Sequence, residues 1–244
     1  MPTPPEPSPA EPLSSSERAD YGPLVITMLM FLGVAAAILP WSPPRLAWPN
    51  WGVPAWVPTT ESADWVESPL PLVMIGGDPH IRALMRTISA SESNMDRPYR
   101  LLYGGQLFSD VSRHPDRCVP IETGPNLGDC TTAAGRYQFL TTTWEEMAAA
   151  YHPRPPRLFG LLGTYDFSPR YQDEVVYRWL SDADAWGTDL AQLLRQGQID
   201  RVLERLSGTW TSLGYGIETN SMSSRLTQIY GEMLLEELGM RSEG

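Results

Sequence analysis

The sequence predicts an α+β domain, mostly helical with one small antiparallel sheet, that follows an N-terminal region of different composition. Apolar residues recur at helical spacing in six segments between residues 78 and 240. Strand-like residues are confined to two short stretches, 100–109 and 134–139. Several helices with one small sheet form an α+β arrangement. The folded domain is therefore predicted over residues 78–240.

The region before residue 78 lacks the composition of a compact domain. Residues 1–20 contain six prolines and almost no large apolar side chain, so we expect a disordered tail. Residues 21–41 are uncharged and apolar, with Tyr21 and Trp41 at the two ends, which is typical of a single-pass transmembrane helix. A buried core helix and a cleaved signal peptide are the alternatives.

Residues 42–77 predict an extended linker, because proline recurs too often for a helix. Tryptophan is unusually frequent in and beside this linker, at Trp41, Trp48, Trp51, Trp56 and Trp65. These side chains are expected to lie either on a bilayer surface or against the folded domain.

The folded domain is predicted to begin with a helix. Asp78 is a candidate N-cap, Pro79 suits the first helical position, and apolar residues follow at helical spacing from Ile81 to Ile88. Five further helices are predicted from periodicity and stop signals: Thr142–Tyr151, Pro169–Leu180, Thr188–Gln196, Ile199–Trp210 and Asn220–Leu238.

The composition argues against several classes of function. The net charge is −11, and all 18 basic residues are arginine. A chain this acidic is poorly suited to bind nucleic acid, because that binding depends on neutralising phosphates. Two cysteines and three histidines also argue against a zinc site. We therefore expect no nucleic-acid partner, no metal and no cofactor.

Glu92 is the candidate catalytic residue. It follows Ile81 by eleven residues, which at about 100° per residue places it on the apolar face of the first helix. A carboxyl group at the end of an apolar stripe is expected to resist ionisation. A protonated carboxyl can protonate the leaving oxygen of a glycosidic bond. The alternative is a helix-end glutamate that faces solvent or binds loop amides.

Five spaced motifs strengthen the catalytic interpretation of Glu92. They are SES at 91–93, YGGQLFSDVSRHP at 103–115, AAGRYQFL at 133–140, YDFSPRYQDEVV at 165–176 and WTSLGYG at 210–216. In this order they resemble the phage lambda-type endolysins, glycoside hydrolase family 104, over about residues 81–238. The resemblance implies a lysozyme-like fold and a lytic transglycosylase that acts on peptidoglycan glycan strands. It implies cleavage of the MurNAc–GlcNAc β-1,4 bond by Glu92, with a 1,6-anhydro-muramyl product.

The chemistry implied by this resemblance needs one carboxyl group. Glu92 would protonate the glycosidic oxygen and then accept a proton from the 6-hydroxyl of the sugar, which attacks C1. A water-using muramidase would need a partner acid. Asp96 and Asp110 are the candidates nearby in the sequence, although Asp110 is better interpreted as a turn-forming residue.

The resemblance also assigns substrate-binding residues. Gln138 is expected to be a strand residue that hydrogen-bonds an N-acetyl or hydroxyl group, and Gly135 to allow close approach of the backbone to the sugar. Tyr215 is expected to be a cleft tyrosine. Tyr137 is assigned either to the cleft or to the core, because it alternates with Gln138 along the expected strand. Ser93 completes the set.

The two cysteines predict a disulfide and a location. Cys118 and Cys130 flank a turn-rich segment, so they can form a clasp within one loop; two buried free thiols are the alternative. A disulfide persists in an oxidising compartment, and peptidoglycan lies outside the inner membrane. We therefore expect an inner-membrane protein whose residues 21–41 contact the bilayer, with residues 1–20 in the cytoplasm and residues 42–244 on the cell-wall side. A non-catalytic peptidoglycan-binding module is the alternative function.

Overall fold

The computed structural model describes residues 63–122, 126–156, 163–215 and 222–239. The predicted tail and the predicted membrane helix, residues 1–41, lie outside these ranges. Within the described ranges, no helix has both the length and the apolar composition that crossing a bilayer requires.

Helices form most of the described domain. In chain order they are α1 (Pro79–Glu92), α2 (Thr141–Tyr151), α3 (Pro169–Ser181), α4 (Ala183–Trp186), α5 (Leu190–Arg195), α6 (Ile199–Leu206) and α7 (Leu226–Glu237). Short 3₁₀ turns cover Pro98–Arg100, Tyr103–Gly105, Thr211–Leu213 and Ser223–Arg225. The predicted helix 199–210 is shorter than expected, because α6 ends at Leu206. α4 was not predicted, since four residues are too few to show a helical period.

α1 is the helix around which the core is built. Asp78 caps it by accepting a hydrogen bond from the backbone N–H of His80 at 2.8 Å, and Pro79 follows in the first turn, as predicted. Its apolar face is buried from Ile81 onward and packs mainly against α7, with further contacts to α3 and α5. Glu92 is the last residue of this helix. A well-packed helix therefore fixes the position of the candidate catalytic carboxyl.

The α+β class and its small antiparallel sheet are confirmed, but the predicted position of the sheet is wrong. The regular pairing in the described residues joins β1 (Val119–Pro120) to β2 (Cys130–Thr131) in antiparallel register. A disulfide between Cys118 and Cys130 lies beside this pair, with the two Cα atoms 5.4 Å apart.

The stretches predicted as strands contain isolated bridges between tight turns. Residues 100–109 and 134–139 are linked by single bridges and not by a continuous ladder. Gly104 and Gly135 have φ of 78° and 76°, and Gln138 has φ of 46°. Left-handed backbone at these positions reverses the chain before a strand can extend. The alternation of side chains along these stretches therefore does not reflect a pleated strand.

Residues 63–77, which the sequence assigned to the linker, pack on the domain; we call them the N-terminal segment. Leu72 and Met74 are buried in the core. Three arginines, Arg82, Arg86 and Arg136, donate hydrogen bonds to backbone carbonyls of this segment. An irregular segment held through its backbone has no helical or strand period, so its docking leaves no periodic signal in the sequence.

A buried carboxylate connects the N-terminal segment to the rest of the core. Asp173, on α3, is 0% exposed. Four donors surround it at 2.7 to 3.1 Å: the backbone N–H groups of Val73 and Met74 and the hydroxyls of Tyr99 and Tyr137. Burial raises the pKa of the Asp173 carboxyl, while Arg136 and the hydrogen bonds from Tyr137 and Tyr99 oppose that rise. Because every one of these partners donates, the network matches the carboxylate form.

Candidate active site

Glu92 meets a second element at the end of α1. Its side chain is half-buried. The hydroxyl of Ser212 donates a hydrogen bond to Oε1 of Glu92. Ser212 belongs to the 3₁₀ turn Thr211–Leu213, which packs against α1. The fold therefore brings together a helix-end carboxyl and a hydroxyl that lie 120 residues apart in the sequence.

A second hydroxyl gives Ser212 an alternative partner. Its Oγ lies 3.0 Å from Oγ of Ser91, and Ser91 itself donates to the carbonyl of Ile88 at 3.0 Å. A hydroxyl has one proton to donate. When Glu92 is ionised, Ser212 donates to the carboxylate. When Glu92 is protonated, it can donate to Ser212, which then donates to Ser91. Both protonation states of Glu92 thus have a consistent hydrogen-bond pattern.

Ser93 is buried beside Glu92 and joins two elements of the site. It is 3% exposed, and its hydroxyl donates to the carbonyl of Arg136 at 2.6 Å. This bond ties the C-terminal end of α1 to the turn at residues 135–138. Ser93 therefore supports this turn, and its contact with a substrate remains a prediction.

Gly135 is required by packing inside the protein. A Cβ atom at this position would lie 2.3 Å from Oε1 of Gln172 and 2.8 Å from the ring of Phe167. The same Gln172 oxygen accepts a hydrogen bond from the backbone N–H of Arg136 at 2.9 Å. Gln172 of α3 and the Phe167 ring therefore occupy the space that a side chain at residue 135 would need, and the approach of a sugar to Gly135 remains a prediction.

Tyr137 belongs to the core, which was one of its two predicted assignments. It is fully buried, and its hydroxyl donates to Asp173 at 2.7 Å. Burial raises the pKa of Tyr137 well above its ordinary value, and the charge of Asp173 raises it further. Its carbonyl accepts a hydrogen bond from the indole of Trp210 at 3.1 Å. The contact of Tyr137 with a substrate remains a prediction.

Gln138 lies on a turn and not on a strand, so that part of its prediction is also wrong. Its side-chain NH₂ group donates to the carbonyls of Gly135, at 2.9 Å, and of Leu101, at 3.3 Å. These bonds fix the turn next to Arg136, whose carbonyl holds Ser93. The half-buried side chain of Gln138 therefore stabilises this turn. Its contact with a sugar remains a prediction.

Tyr215 lies at the exposed end of the turn that positions Ser212. It is 47% exposed and has φ of 58°. Partial burial raises the pKa of the Tyr215 hydroxyl, and the acids Asp200 and Glu204 of α6 raise it further. The ring is accessible to a ligand, and its role in a cleft remains a prediction.

The two candidates for a second catalytic acid both accept hydrogen bonds from the protein. Asp110 is exposed and accepts hydrogen bonds from the backbone and the hydroxyl of Ser112, at 2.9 and 2.6 Å, which lower its pKa. This geometry confirms the turn-forming interpretation. Asp96 accepts a hydrogen bond from the backbone N–H of Asp64 at 3.1 Å and pairs with Arg97 at 3.2 Å. Among the described residues, no group of three or more His, Cys, Asp or Glu side chains could hold a metal ion.

Ser212 and Ser91 were not predicted from the sequence as residues of the site. Both lie inside motifs of the endolysin resemblance, WTSLGYG at 210–216 and SES at 91–93. The available signal was a small hydroxyl residue within each of the two motifs. What the sequence could not show was that the fold places the Ser212 hydroxyl against both the Glu92 carboxyl and the Ser91 hydroxyl.

Comparisons with known proteins identify the family of this chain. A family model described as Endolysin matches residues 82–234. The endolysin of Escherichia phage lambda is 32% identical over 133 residues, which cover 53% of this chain and 72% of that protein. The range that the family model matches, residues 82–234, contains both Glu92 and Ser212.

Two solved structures of the phage lambda enzyme are also similar. Bacteriophage lambda lysozyme complexed with a chitohexasaccharide is 28% identical, covers 66% of this chain and 97% of its own, and has a TM-score of 0.48. Lysozyme from bacteriophage lambda is 24% identical, covers 68% and 97% of the two chains, and has a TM-score of 0.45.

Proposed function

The chain belongs to the endolysin family, and on that premise we propose that it is a lytic transglycosylase of peptidoglycan with Glu92 as its catalytic acid and base. It is a homologue of lambda endolysin, a peptidoglycan-cleaving enzyme. The proposed reaction cleaves the β-1,4 bond between MurNAc and GlcNAc and leaves a 1,6-anhydro-muramyl end. The observation that carries this proposal is the contact of Glu92 with the Ser212 hydroxyl, which suits both protonation states of one carboxyl.

The first step is proton transfer from Glu92 to the glycosidic oxygen. The bond from this oxygen to C1 of MurNAc breaks, the GlcNAc-containing strand leaves as an alcohol, and C1 becomes electron-deficient. Glu92 is now a carboxylate. The Ser212 hydroxyl, which lies against Glu92, can donate a hydrogen bond to this carboxylate.

The second step closes the sugar ring. The 6-hydroxyl of the same MurNAc attacks C1, and its proton passes to the Glu92 carboxylate, so the acid is restored and no water is consumed. The nucleophile is part of the substrate, so a second carboxylate of the protein is not needed. Asp96 accepts a hydrogen bond from Asp64 of the N-terminal segment and Asp110 accepts one from Ser112, and this engagement supports the proposal.

Digestion of purified peptidoglycan tests the enzymatic function. The full-length protein is expected to release soluble muropeptides, and chelator is expected to leave the rate unchanged because no step uses a metal. Binding to sacculi without release, by a protein with a cooperative thermal transition, would instead support a non-catalytic binding module.

Replacing Ser212 by alanine is expected to lower kcat about 10- to 100-fold, because a hydrogen bond to a charged group is worth about 1.5–3 kcal/mol. Ser212→Thr keeps a hydroxyl and should retain most of the activity. Ser181→Ala removes an exposed hydroxyl that bonds the carbonyl of Tyr177, so it serves as the matched control. Steady-state rates across pH provide the measurement. A Ser212→Ala variant with the wild-type kcat and pH profile would contradict the role of this contact.

We place the enzyme at the inner membrane, with residues 21–41 as the anchor and residues 42–244 on the cell-wall side. The Cys118–Cys130 disulfide supports this placement, because such a bond persists in an oxidising compartment. The protein is expected to remain in the membrane fraction after high-salt washing, since an apolar anchor is not released by screening charge. Release by salt, or protection of the folded domain from protease in right-side-out spheroplasts, would contradict the placement.

A further inference from the structure

Trp65 is an exposed aromatic side chain on a fixed backbone. It is 69% exposed, although it forms an antiparallel bridge with Met95. Its neighbours are held by four hydrogen bonds: Asp96 N to Asp64 O at 2.8 Å, Val66 N to Asn94 O at 3.3 Å, Asn94 Nδ2 to Val66 O at 2.8 Å and Asp64 N to Asp96 Oδ1 at 3.1 Å. The fold therefore secures the backbone on both sides of Trp65 while leaving the indole in solvent.

The loop that holds Trp65 begins directly after the catalytic helix. Met95 lies three residues beyond Glu92, and residues paired across an antiparallel bridge have Cα atoms about 5 Å apart. The Cα atoms of Trp65 and Glu92 are therefore at most about 16 Å apart. The backbone N–H of Ala63 also bonds the carbonyl of Gly105, so the segment lies between the loop after Glu92 and the turn at residues 103–105.

We infer that Trp65 is a saccharide-stacking residue, forming a distal subsite for the glycan strand that Glu92 cleaves. This inference rests on the proposed function. An indole presents a large flat face with little conformational entropy to lose, which suits it to pack against the apolar face of a sugar ring. An exposed large aromatic on an ordered backbone near a catalytic carboxyl is where such packing would contribute to binding. Trp65 lies outside residues 82–234, the part of the chain that the Endolysin family model matches.

The charges around Trp65 favour a glycan over a lipid surface. Asp64, Glu67 and Asp96 are exposed acids on the same segment or on the loop it pairs with, and Arg97, which pairs with Asp96, offsets only part of their charge. Anionic lipid headgroups would be repelled by these carboxylates. A sugar ring is neutral, and carboxylates at the edge of a stacking face can accept hydrogen bonds from its hydroxyls. A membrane contact by Trp65 is therefore the outcome that the test must distinguish.

Glycan binding by a catalytically silent protein tests the inference directly. The full-length Glu92→Gln variant is titrated calorimetrically with chitohexaose, alone and combined with Trp65→Ala. Loss of the indole is expected to weaken binding about tenfold, and Trp65→Phe should restore most of it. Ile75→Ala removes a 98% exposed apolar side chain elsewhere on the same segment, and should leave affinity unchanged. Thermal unfolding of each variant shows whether it is folded.

A kinetic arm separates this inference from the proposed function. With Glu92 intact, Trp65→Ala is expected to raise KM for peptidoglycan about tenfold and to leave kcat within about twofold. If cleavage is absent but the calorimetric loss is seen, the proposed function fails and the subsite stands. Equal chitohexaose affinity with and without Trp65, or no binding by either protein, overturns the subsite. Loss of binding to phosphatidylglycerol vesicles with glycan affinity unchanged also overturns it and assigns Trp65 to the membrane.

Discussion

Replacing Glu92 by glutamine is expected to lower the rate of peptidoglycan cleavage at least about 10²-fold. Glutamine keeps the shape of the side chain and can still accept a hydrogen bond from Ser212. Its amide cannot protonate the glycosidic oxygen, and it cannot take the proton of the 6-hydroxyl. Both steps of the proposed mechanism are therefore affected. The initial rate of muropeptide release by the full-length variant measures the loss.

Asp110→Asn is the matched control for this substitution. It makes the same chemical change at an exposed carboxyl that caps its own turn through Ser112, so the cleavage rate should not change. A large loss in Asp110→Asn would identify Asp110 as a second catalytic carboxyl and favour a water-using muramidase. Near-normal activity of Glu92→Gln would remove the basis of the mechanism.

Replacing Asp173 by asparagine is expected to destabilise the domain by about 3–5 kcal/mol. The carboxylate accepts hydrogen bonds at both oxygens, from Tyr137 at Oδ1 and from Tyr99 and the N-terminal segment at Oδ2. An amide turns one of these acceptors into a donor facing other donors, and removes the negative charge near the buried Arg136. The free energy of unfolding, from denaturant titration of the full-length protein, provides the measurement.

The same Asp110→Asn variant also controls for this effect. Asp110 is exposed, and among the described residues it bonds only its own turn. The Asp110→Asn variant should therefore unfold at the same denaturant concentration as the wild type. The loss in Asp173→Asn should also loosen the N-terminal segment, seen as faster amide exchange at Val73 and Met74. Wild-type stability of Asp173→Asn would show that the network around this carboxyl does not hold the segment in place.

The sequence was sufficient to predict α1 and its last residue. An aspartate cap, a proline in the first turn and a buried apolar face are local signals, and they act on residues close together in the chain. Glu92 follows from that periodicity, because its position on the helix depends only on its distance from Ile81. Its partner Ser212 could not be predicted in the same way, since their contact exists only after α1 and a distant turn pack together.

The errors at residues 134–139 have a related cause. Alternation of polar and apolar residues predicts a strand, but a glycine with positive φ at Gly135 folds this stretch into a turn. Gly135, Tyr137 and Ser93 then serve packing and hydrogen bonding beside the site. The motif resemblance singled out these residues but did not predict the packing and the hydrogen bonds that they make.

The N-terminal segment shows a different limit of sequence interpretation. Its backbone carbonyls, which a residue of any type would present, accept hydrogen bonds from arginines. These arginines lie on α1 and on the turn at residues 135–138. A helical or strand period cannot encode such docking. The exposure of Trp65 follows from the same arrangement, so the sequence alone could not decide where that tryptophan lies.

Digestion of peptidoglycan in water enriched in ¹⁸O tests the central claim most directly. If the 6-hydroxyl of MurNAc is the nucleophile, mass spectrometry will find anhydro-muropeptides that contain no ¹⁸O and are lighter than hydrolysed products by one water. Hydrated muramic ends that carry ¹⁸O would contradict the account, because they would show that water attacks C1.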